Sequence, residues 1–349
     1  MPATYRSAAT ALVTALVAAI ALSACGNNSN PNPAPTVSVT SSAGGSATSS
    51  VSAAAATPPA IVGVTAAGAL VVLNPTTGVA TKTLVPGHVL GDEVSVSSTG
   101  LVYFAAQNGC TQEIEAIPVA GGSVTDIAPG TLPAVSPDGT KLAYADEPTL
   151  PNCPVNSSNI VDFYHVDIRT LSSGSTIKLA MLAASQSSGL PYPISHLSWA
   201  PDNDHLAVSI SAPEDNEGWN LNIVDTSLAQ YYLSGTGVTS VPATGSPTPQ
   251  LSYLREGVYM PNGDLFVSRA CCAGDDPVHN TSRLMWEVTT AGTLVHQVAV
   301  GYVGLEHTSL DVSSDGAWLL YLAGDSLYVS QGGATPRELT TGLIAAAWA

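Results

Sequence analysis

Short apolar and alternating runs return along this chain, and five of them end in the same polar reversal. The reversal reads Val96-Ser97-Ser98-Thr99-Gly100, Val135-Ser136-Pro137-Asp138-Gly139, Trp199-Ala200-Pro201-Asp202-Asn203, Tyr259-Met260-Pro261-Asn262-Gly263 and Val312-Ser313-Ser314-Asp315-Gly316. Strand-length runs separated by Gly, Pro, Asn and Asp predict β-strands joined by tight turns. Recurrence of the whole phrase predicts a repeat architecture. After each turn comes an apolar strand, an alternating strand often carrying an aromatic residue, and a last strand after a Gly-rich turn. In the final unit these are Trp318 to Leu322, Leu327 to Ser330 and Arg337 to Leu339. Four strands per unit with this punctuation describe a blade of a β-propeller.

The two ends of the repeat region predict how the ring closes. Residues Ala60 to Val64, Ala69 to Leu73 and Val79 to Val85 match the second, third and fourth strands of a blade whose first strand is missing. The chain stops at Leu343-Ile344-Ala345-Ala346-Ala347-Trp348-Ala349, which matches Ile194 to Ala200, so this last strand is expected to complete the first blade. Pairing the ends in one sheet removes the open seam. With the five turns, the count is six blades. The segment 236–249, with Gly, Ser, Thr and three prolines, reads as a loop and not a seventh blade.

The phrases Ser136-Pro137-Asp138-Gly139-Thr140-Lys141-Leu142-Ala143-Tyr144 and Asp315-Gly316-Ala317-Trp318-Leu319-Leu320-Tyr321 resemble the repeats of the TolB-like, WD40-like propeller family. Only the blade at Ser136 carries the full motif. The resemblance implies an all-β, six-bladed propeller of four-stranded antiparallel blades over 60–349, used to bind protein segments in or across its mouth.

Before the repeats, Arg6 is followed by an uncharged apolar stretch from Ala8 to Leu22 and then Leu22-Ser23-Ala24-Cys25. This is an export signal, too short and wrongly flanked for a lasting membrane span. It resembles a bacterial lipoprotein signal, which implies removal of 1–24, lipidation of Cys25 and an extracytoplasmic, membrane-anchored location. Residues 26–59 are almost wholly Asn, Ser, Thr, Pro, Ala, Gly and Val, and with Cys25 they read as a disordered tether.

Charge narrows the partners. Nine Lys and Arg face 26 Asp and Glu, for a net charge of −17. Such a surface repels phosphate backbones, which excludes nucleic acid and favours cations, basic peptides or neutral glycans. Four further cysteines, Cys110, Cys153, Cys271 and Cys272, allow three disulfide connectivities in an exported domain. The favoured pairing is Cys110 with Cys153 in equivalent loops of adjacent blades, and a vicinal Cys271–Cys272 bridge.

In an antiparallel four-stranded blade, the connections after the second and fourth strands leave from one face. The long insertions 146–159, 211–218 and 270–282 follow second strands, and 181–193 and 236–249 follow fourth strands, so one rim is expected to be decorated. First strands line the channel. Aligned on their turns, they put Glu93, His196 and Glu256 at one level, with Asp92 and Arg255 one step earlier and Glu306 and His307 near the same mouth. That cluster is expected to open toward the decorated face. Carboxylates with a histidine can bind a cation or orient a peptide terminus or sugar; channel-lining structure is the plainer reading. On the rim, Glu214, Asp215 and Glu217 offer oxygen ligands for calcium, and Trp219 offers a ring to stack on a partner. Their spacing lacks the alternating Asp pattern of an EF-hand loop, which favours a solvated acidic loop.

Catalytic signatures are missing: there is no Gly-x-Ser-x-Gly elbow, no His-Glu-x-x-His and no phosphate-binding Gly-rich loop with Lys. Ser175-Thr176-Ile177-Lys178 matches Ser-x-x-Lys but falls on an expected outer strand. The sequence therefore reads as a non-catalytic, lipid-anchored propeller that binds an envelope protein or peptide and takes no cofactor, calcium being the alternative. Two other readings stand beside it. One is a metal-dependent hydrolase or lyase built on Glu93, His196, Glu256 and His307, and the other is a small-ligand or glycan sensor.

Overall fold

The computed structural model describes residues 57–109, 111–146, 165–179, 194–210, 220–228, 238–241, 253–270, 285–298 and 307–349. The chain divides into two units, 1–53 and 54–349. The first unit, with Cys25, lies outside the described residues, as do Cys110, Cys153, Cys271 and Cys272.

Six four-stranded antiparallel sheets make up the second unit. The first blade holds β1 (Ile61–Thr65), β2 (Leu70–Leu73) and β3 (Ala80–Val85). The second holds β4 (Val89–Val96), β5 (Leu101–Asn108), β6 (Thr111–Pro118) and β7 (Thr125–Pro129), and the third β8 (Thr131–Val135), β9 (Lys141–Asp146), β10 (His165–Thr170) and β11 (Thr176–Leu179). The fourth holds β12 (Ile194–Trp199), β13 (His205–Ile210), β14 (Asn220–Asp225) and β15 (Val238–Ser240), and the fifth β16 (Tyr253–Tyr259), β17 (Leu265–Ala270), β18 (Met285–Val288) and β19 (Leu294–Val298). The sixth holds β20 (His307–Val312), β21 (Trp318–Ala323), β22 (Ser326–Gln331) and β23 (Arg337–Thr341), and β24 (Leu343–Trp348) returns to the first blade.

Closure is in register. β24 pairs antiparallel with β1, Ile61 opposite Trp348 and Val62 opposite Ala347. The Ala349 N–H donates to the Ala60 carbonyl at 2.8 Å, the same bond that Ser136 N–H makes to Lys141 and Ala200 N–H to His205 after the other inner strands. The end of the chain thus replaces a missing first strand residue for residue.

The recurring turn has a definite chemistry. Ser136 Oγ donates to Asp138 Oδ1 at 2.6 Å and accepts the Lys141 N–H at 2.9 Å, while Asp138 Oδ1 accepts the Thr140 N–H. Ser313, Asp315 and Trp318 repeat the set. The serine hydroxyl holds each aspartate carboxyl below its ordinary range. The last turn position has a positive φ, 70° at Gly139, 71° at Gly316 and 61° at Asn203, which explains why only Gly or Asn stands there.

Packing follows from blades stacked face to face. Among the described residues the buried side chains fall into six clusters, each shared by two adjacent blades. Every blade buries both faces, so central strands such as β2 and β18 are buried throughout and read as apolar runs. Burial of one such side chain stabilises the ring by about 1.5–3 kcal/mol.

Two sequence expectations change. Segment 236–249 is not all loop: β15 lies at 238–240 and supplies the fourth strand of blade four. Three residues bordered by Gly, Ser and Pro carry too little pattern to show as a strand. The preceding connection, 229–237, consequently leaves from the short-turn face. In blade three β10 is described from His165, and the insertion expected at 146–159 lies, past Asp146, outside the described residues.

Gly139→Ala is expected to lower stability by about 1–2 kcal/mol in denaturant unfolding, from the positive φ alone. The site itself is open, with the nearest atom to an added Cβ being Ser98 Oγ at 3.9 Å. Deleting 343–349 exposes the inner edge of β1 and should abolish the single cooperative transition seen by circular dichroism, leaving an aggregating chain.

Candidate functional site

The first strand of each sheet is its inner edge, and these six strands contact one another around a central channel. Each of them breaks register with its neighbour: between Val89 and Val94, Thr131 and Ala134, Ile194 and His196, Leu254 and Glu256, and Thr308 and Asp311, and opposite Val64/Thr65 in the closing strand. A bulge twists an edge strand and re-aims its side chains. Leu132 and Ser309, inside two of these irregular stretches, have positive φ of 52° and 49°.

Aligned on the turns, three levels of side chains surround the channel. Four residues before the turn residue stand Glu93, Leu132, His196, Glu256, Ser309 and Ala345. Two before it stand Ser95, Ala134, Ser198, Val258, Asp311 and Ala347, and one before it Val96, Val135, Trp199, Tyr259, Val312 and Trp348. All six inner strands contribute to one cavity of about 560 Å³. It runs from Glu93 and His196 to the exposed turn residues Ser98, Pro137, Pro201, Pro261 and Ser314. The mouth formed by described residues lies on the short-turn face; the connections on the face toward which this cluster was expected to open lie outside the described residues.

Glu93 and His196 meet at the cavity floor. His196 Nδ1 is 3.4 Å from Glu93 Oε1, and both side chains are at least nine-tenths buried. They belong to blades two and four, so the pair reaches past blade three, whose residue at this level is Leu132. Burial drives the His196 pKa from 6.5 down to about 4, so the imidazole is neutral. With Nδ1–H toward the carboxylate, Nε2 carries a lone pair, and it has no partner among the described residues. Glu256 is buried at the same level in blade five.

Asp311 was not singled out by the sequence. Its Oδ2 accepts the Trp348 N–H at 2.7 Å across the seam between blades six and one, and its Oδ1 accepts the Val312 N–H at 2.8 Å. It keeps some surface toward the lumen but is ringed by protein, and this burial, opposed by the two backbone donors, pushes its pKa from 3.8 up to about 7. Ser95 and Ser198, at the same level in blades two and four, accept the Val135 and Tyr259 N–H groups of the next blade, both at 3.0 Å. The signal for Asp311 was this alternation of polar residues two places before the turn.

Asp92, Arg255 and His307 are placed by backbone only, on β4, β16 and β20. Glu306 and the rim residues Glu214, Asp215, Glu217 and Trp219 lie outside the described residues. Ser175–Lys178 falls at the outermost strand of its blade, far from any channel group. Among the described residues, one set of carboxylates has ligand atoms within 4.8 Å of one another: Glu113, Glu115 and Asp126 on the outer strands of blade two. Burial raises the Glu115 pKa, with His88 opposing.

Asp311 and His196 shift in opposite senses. Asp311 is raised, so its contribution to stability is full below pH 3.8 and is lost as pH rises through about 7. His196 is depressed, so its contribution is full above pH 6.5 and is lost as pH falls through about 4. Between these limits the two nearly cancel. Relative to the parent, Asp311→Asn should lose stability as the solution is acidified and His196→Gln should gain it, each at up to about 1.4 kcal/mol per pH unit in denaturant melts.

No protein-family model matches the chain, and no curated protein sequence does. Solved structures match its shape. TolB from Acinetobacter baumannii superposes with a TM-score of 0.56 at 12% identity, covering 83% of this chain and 66% of that one, so the chain spans just under two thirds of that protein. A chain of a nidogen/laminin complex gives 0.53 at 11% identity over 82% of this chain and 97% of its own. A protein described as a TolB from Agrobacterium tumefaciens gives 0.51 at 11% identity, over 75% and 85%. At such identities the likeness is one of fold, and the chain is a six-bladed β-propeller built as TolB is.

Proposed function

We propose that this chain is a non-catalytic, lipid-anchored propeller outside the cytoplasm that holds an envelope protein or peptide on the face where its long connections emerge. The observation that carries the reading is the asymmetry of the two faces. The strand ends bordering 147–164, 180–193, 211–219, 242–252, 271–284 and 299–306 all belong to one face. On the other, most blades reverse within a few residues. Long connections on a rigid ring are where recognition resides. The solved propellers of this fold include one from a nidogen/laminin complex, a protein–protein assembly. The signal segment with Cys25 supports the anchor, and the acidic balance of 26 Asp and Glu against nine Lys and Arg favours a neutral or basic partner surface.

A metal-dependent hydrolase at the channel has less support. Such a site needs several ligands converging on one point, and among the described residues the one converging set is Glu113, Glu115 and Asp126, on the outer part of a blade.

Photo-crosslinking residues placed at Glu214 and Trp219 in cells should yield a discrete protein adduct, whereas Pro137 on the short-turn face and Ile177 on an outer strand should not. Equal adducts at all four positions, or adducts at Pro137 alone, would sink the assignment of the face. Cys25→Ala should move the protein from the membrane to the soluble fraction, and unchanged fractionation would refute the anchor.

A further inference from the structure

We propose, resting on the lipid anchor and the recognition face read above, that the chain meets its partner on the side away from the membrane that anchors it, because the anchor joins the ring at the centre of the opposite face.

The point of attachment decides the side. Residues 57–60 lead into β1 beside the end of β24, where the Ala60 carbonyl accepts the Ala349 N–H at 2.8 Å and Ile61 stands opposite Trp348. That end of the inner strands is the one that carries the short turns. Pro59 and Ala349 line the channel cavity together with Pro137, Pro201, Pro261 and Ser314 of those turns. The chain therefore enters the ring at the mouth of the channel and not at its rim. Any restraint transmitted through the residues ahead of Thr57 acts at the centre of the short-turn face.

Distance then selects one orientation. Strands of about six residues at about 3.3 Å each, with their turns, make a ring about 25–30 Å deep, and four strands about 4.8 Å apart beside the channel give it a radius of about 20–25 Å. With the short-turn face toward the lipid, the connection spans only the gap between them. With the ring inverted, it has to run out to the rim and then down the depth of the blades, about 45–50 Å in all. Residues 26–56, read as an uncharged Ser, Thr, Ala and Pro tether, have a root-mean-square reach of about 30 Å. Volume for volume, a Gaussian coil of that reach extends to 45–50 Å about tenfold less often than to its root-mean-square length.

Charge does not oppose this choice. Asp138, Asp202 and Asp315 are exposed on the short-turn face. The long connections are acidic as well, with Glu214, Asp215 and Asp275 among them and Arg283 their one Lys or Arg. Headgroup attraction therefore favours neither face, and anionic lipid repels both. The ring stands off the bilayer, with the strand ends that bear the long connections turned outward. The partner that fits is a protein with a neutral or basic surface reaching in from the aqueous side, and not one lying flat at the headgroups.

The test is energy transfer on vesicles. The full mature lipidated chain, reconstituted into phosphatidylcholine vesicles with an acceptor dye on their headgroups, carries one fluorescent amino acid in place of Ser314 or of Asp325. These exposed residues flank β21 on opposite faces of one blade. Transfer from Ser314 should exceed that from Asp325 by at least about twofold, given the separation of about 20 Å along β21. Ser98 and Ala67, exposed on the same two faces, serve as a second pair where a label disturbs folding. Doubling the segment 26–56 should shrink the difference, and removing 30–49 should widen it. Equal transfer from the two faces, greater transfer from Asp325, or a difference independent of tether length would overturn the orientation. A chain that fails to float with the vesicles refutes the anchor and the orientation together. A chain that floats, as Cys25→Ala does not, yet shows no asymmetry refutes the orientation alone.

Discussion

Everything in this molecule depends on an edge that has nowhere to go. A four-stranded antiparallel sheet has two unpaired edges, and stacking six such sheets around an axis sends one edge of each outward and the other into the channel. An unsatisfied row of N–H and C=O groups is costly there and prone to wrong pairing. The chain answers in two ways. A break in register in every inner strand keeps the edge from being flat. In alternate blades a side chain, Ser95, Ser198 or Asp311, takes the N–H of the following blade. Blades are thus joined at the axis by directed bonds as well as by apolar contact.

Of the three acceptors, the only charged one stands where the chain's two ends meet. Asp311 holds the Trp348 N–H at 2.7 Å, shorter than the 3.0 Å of the two serine bonds. A carboxylate makes a stronger acceptor than a hydroxyl, and Trp348 lies on β24, the one inner strand that no turn joins to the second strand of its own blade. The apolar side of the seam is equally heavily built: Ile61, Leu322, Leu327 and Trp348 belong to one buried cluster, with Trp318 packed against it. The strength of the acceptor is set against the penalty of burying a charge, and the raised pKa of Asp311 measures that tension.

What the sequence showed clearly were features with local chemistry. The turn leaves a mark because Ser136 and Asp138 bond each other and Gly139 must take a positive φ, so three adjacent residue types are constrained at once. Closure was legible because Leu343 to Trp348 repeats the pattern of Ile194 to Trp199. Glu93, His196 and Glu256 came from aligning strands on the turn, and two of them do touch. Asp311 escaped because its significance is non-local: its partner, Trp348, is 37 residues away. β15 escaped because three residues carry no period.

Six copies of one blade within one chain also act as an internal control on which polar residues the fold itself needs. The serine of the turn recurs wherever the turn must accept an N–H from the following strand, and where Ala200 replaces it, Asp202 Oδ1 takes the His205 N–H instead. A structural requirement is therefore met at each of the five turns, by one residue or another. The floor of the channel behaves differently. Blade three meets that level with Leu132 and blade one with Ala345, and neither brings a compensating polar group, while blades two and four spend a carboxylate and an imidazole there and bury both. Burying such groups disfavours folding unless something is gained, and the apolar copies show that ring closure is not the gain. The Glu93–His196 pair is thus a feature of blades two and four in particular, joined past Leu132 of blade three, and not of the repeated blade.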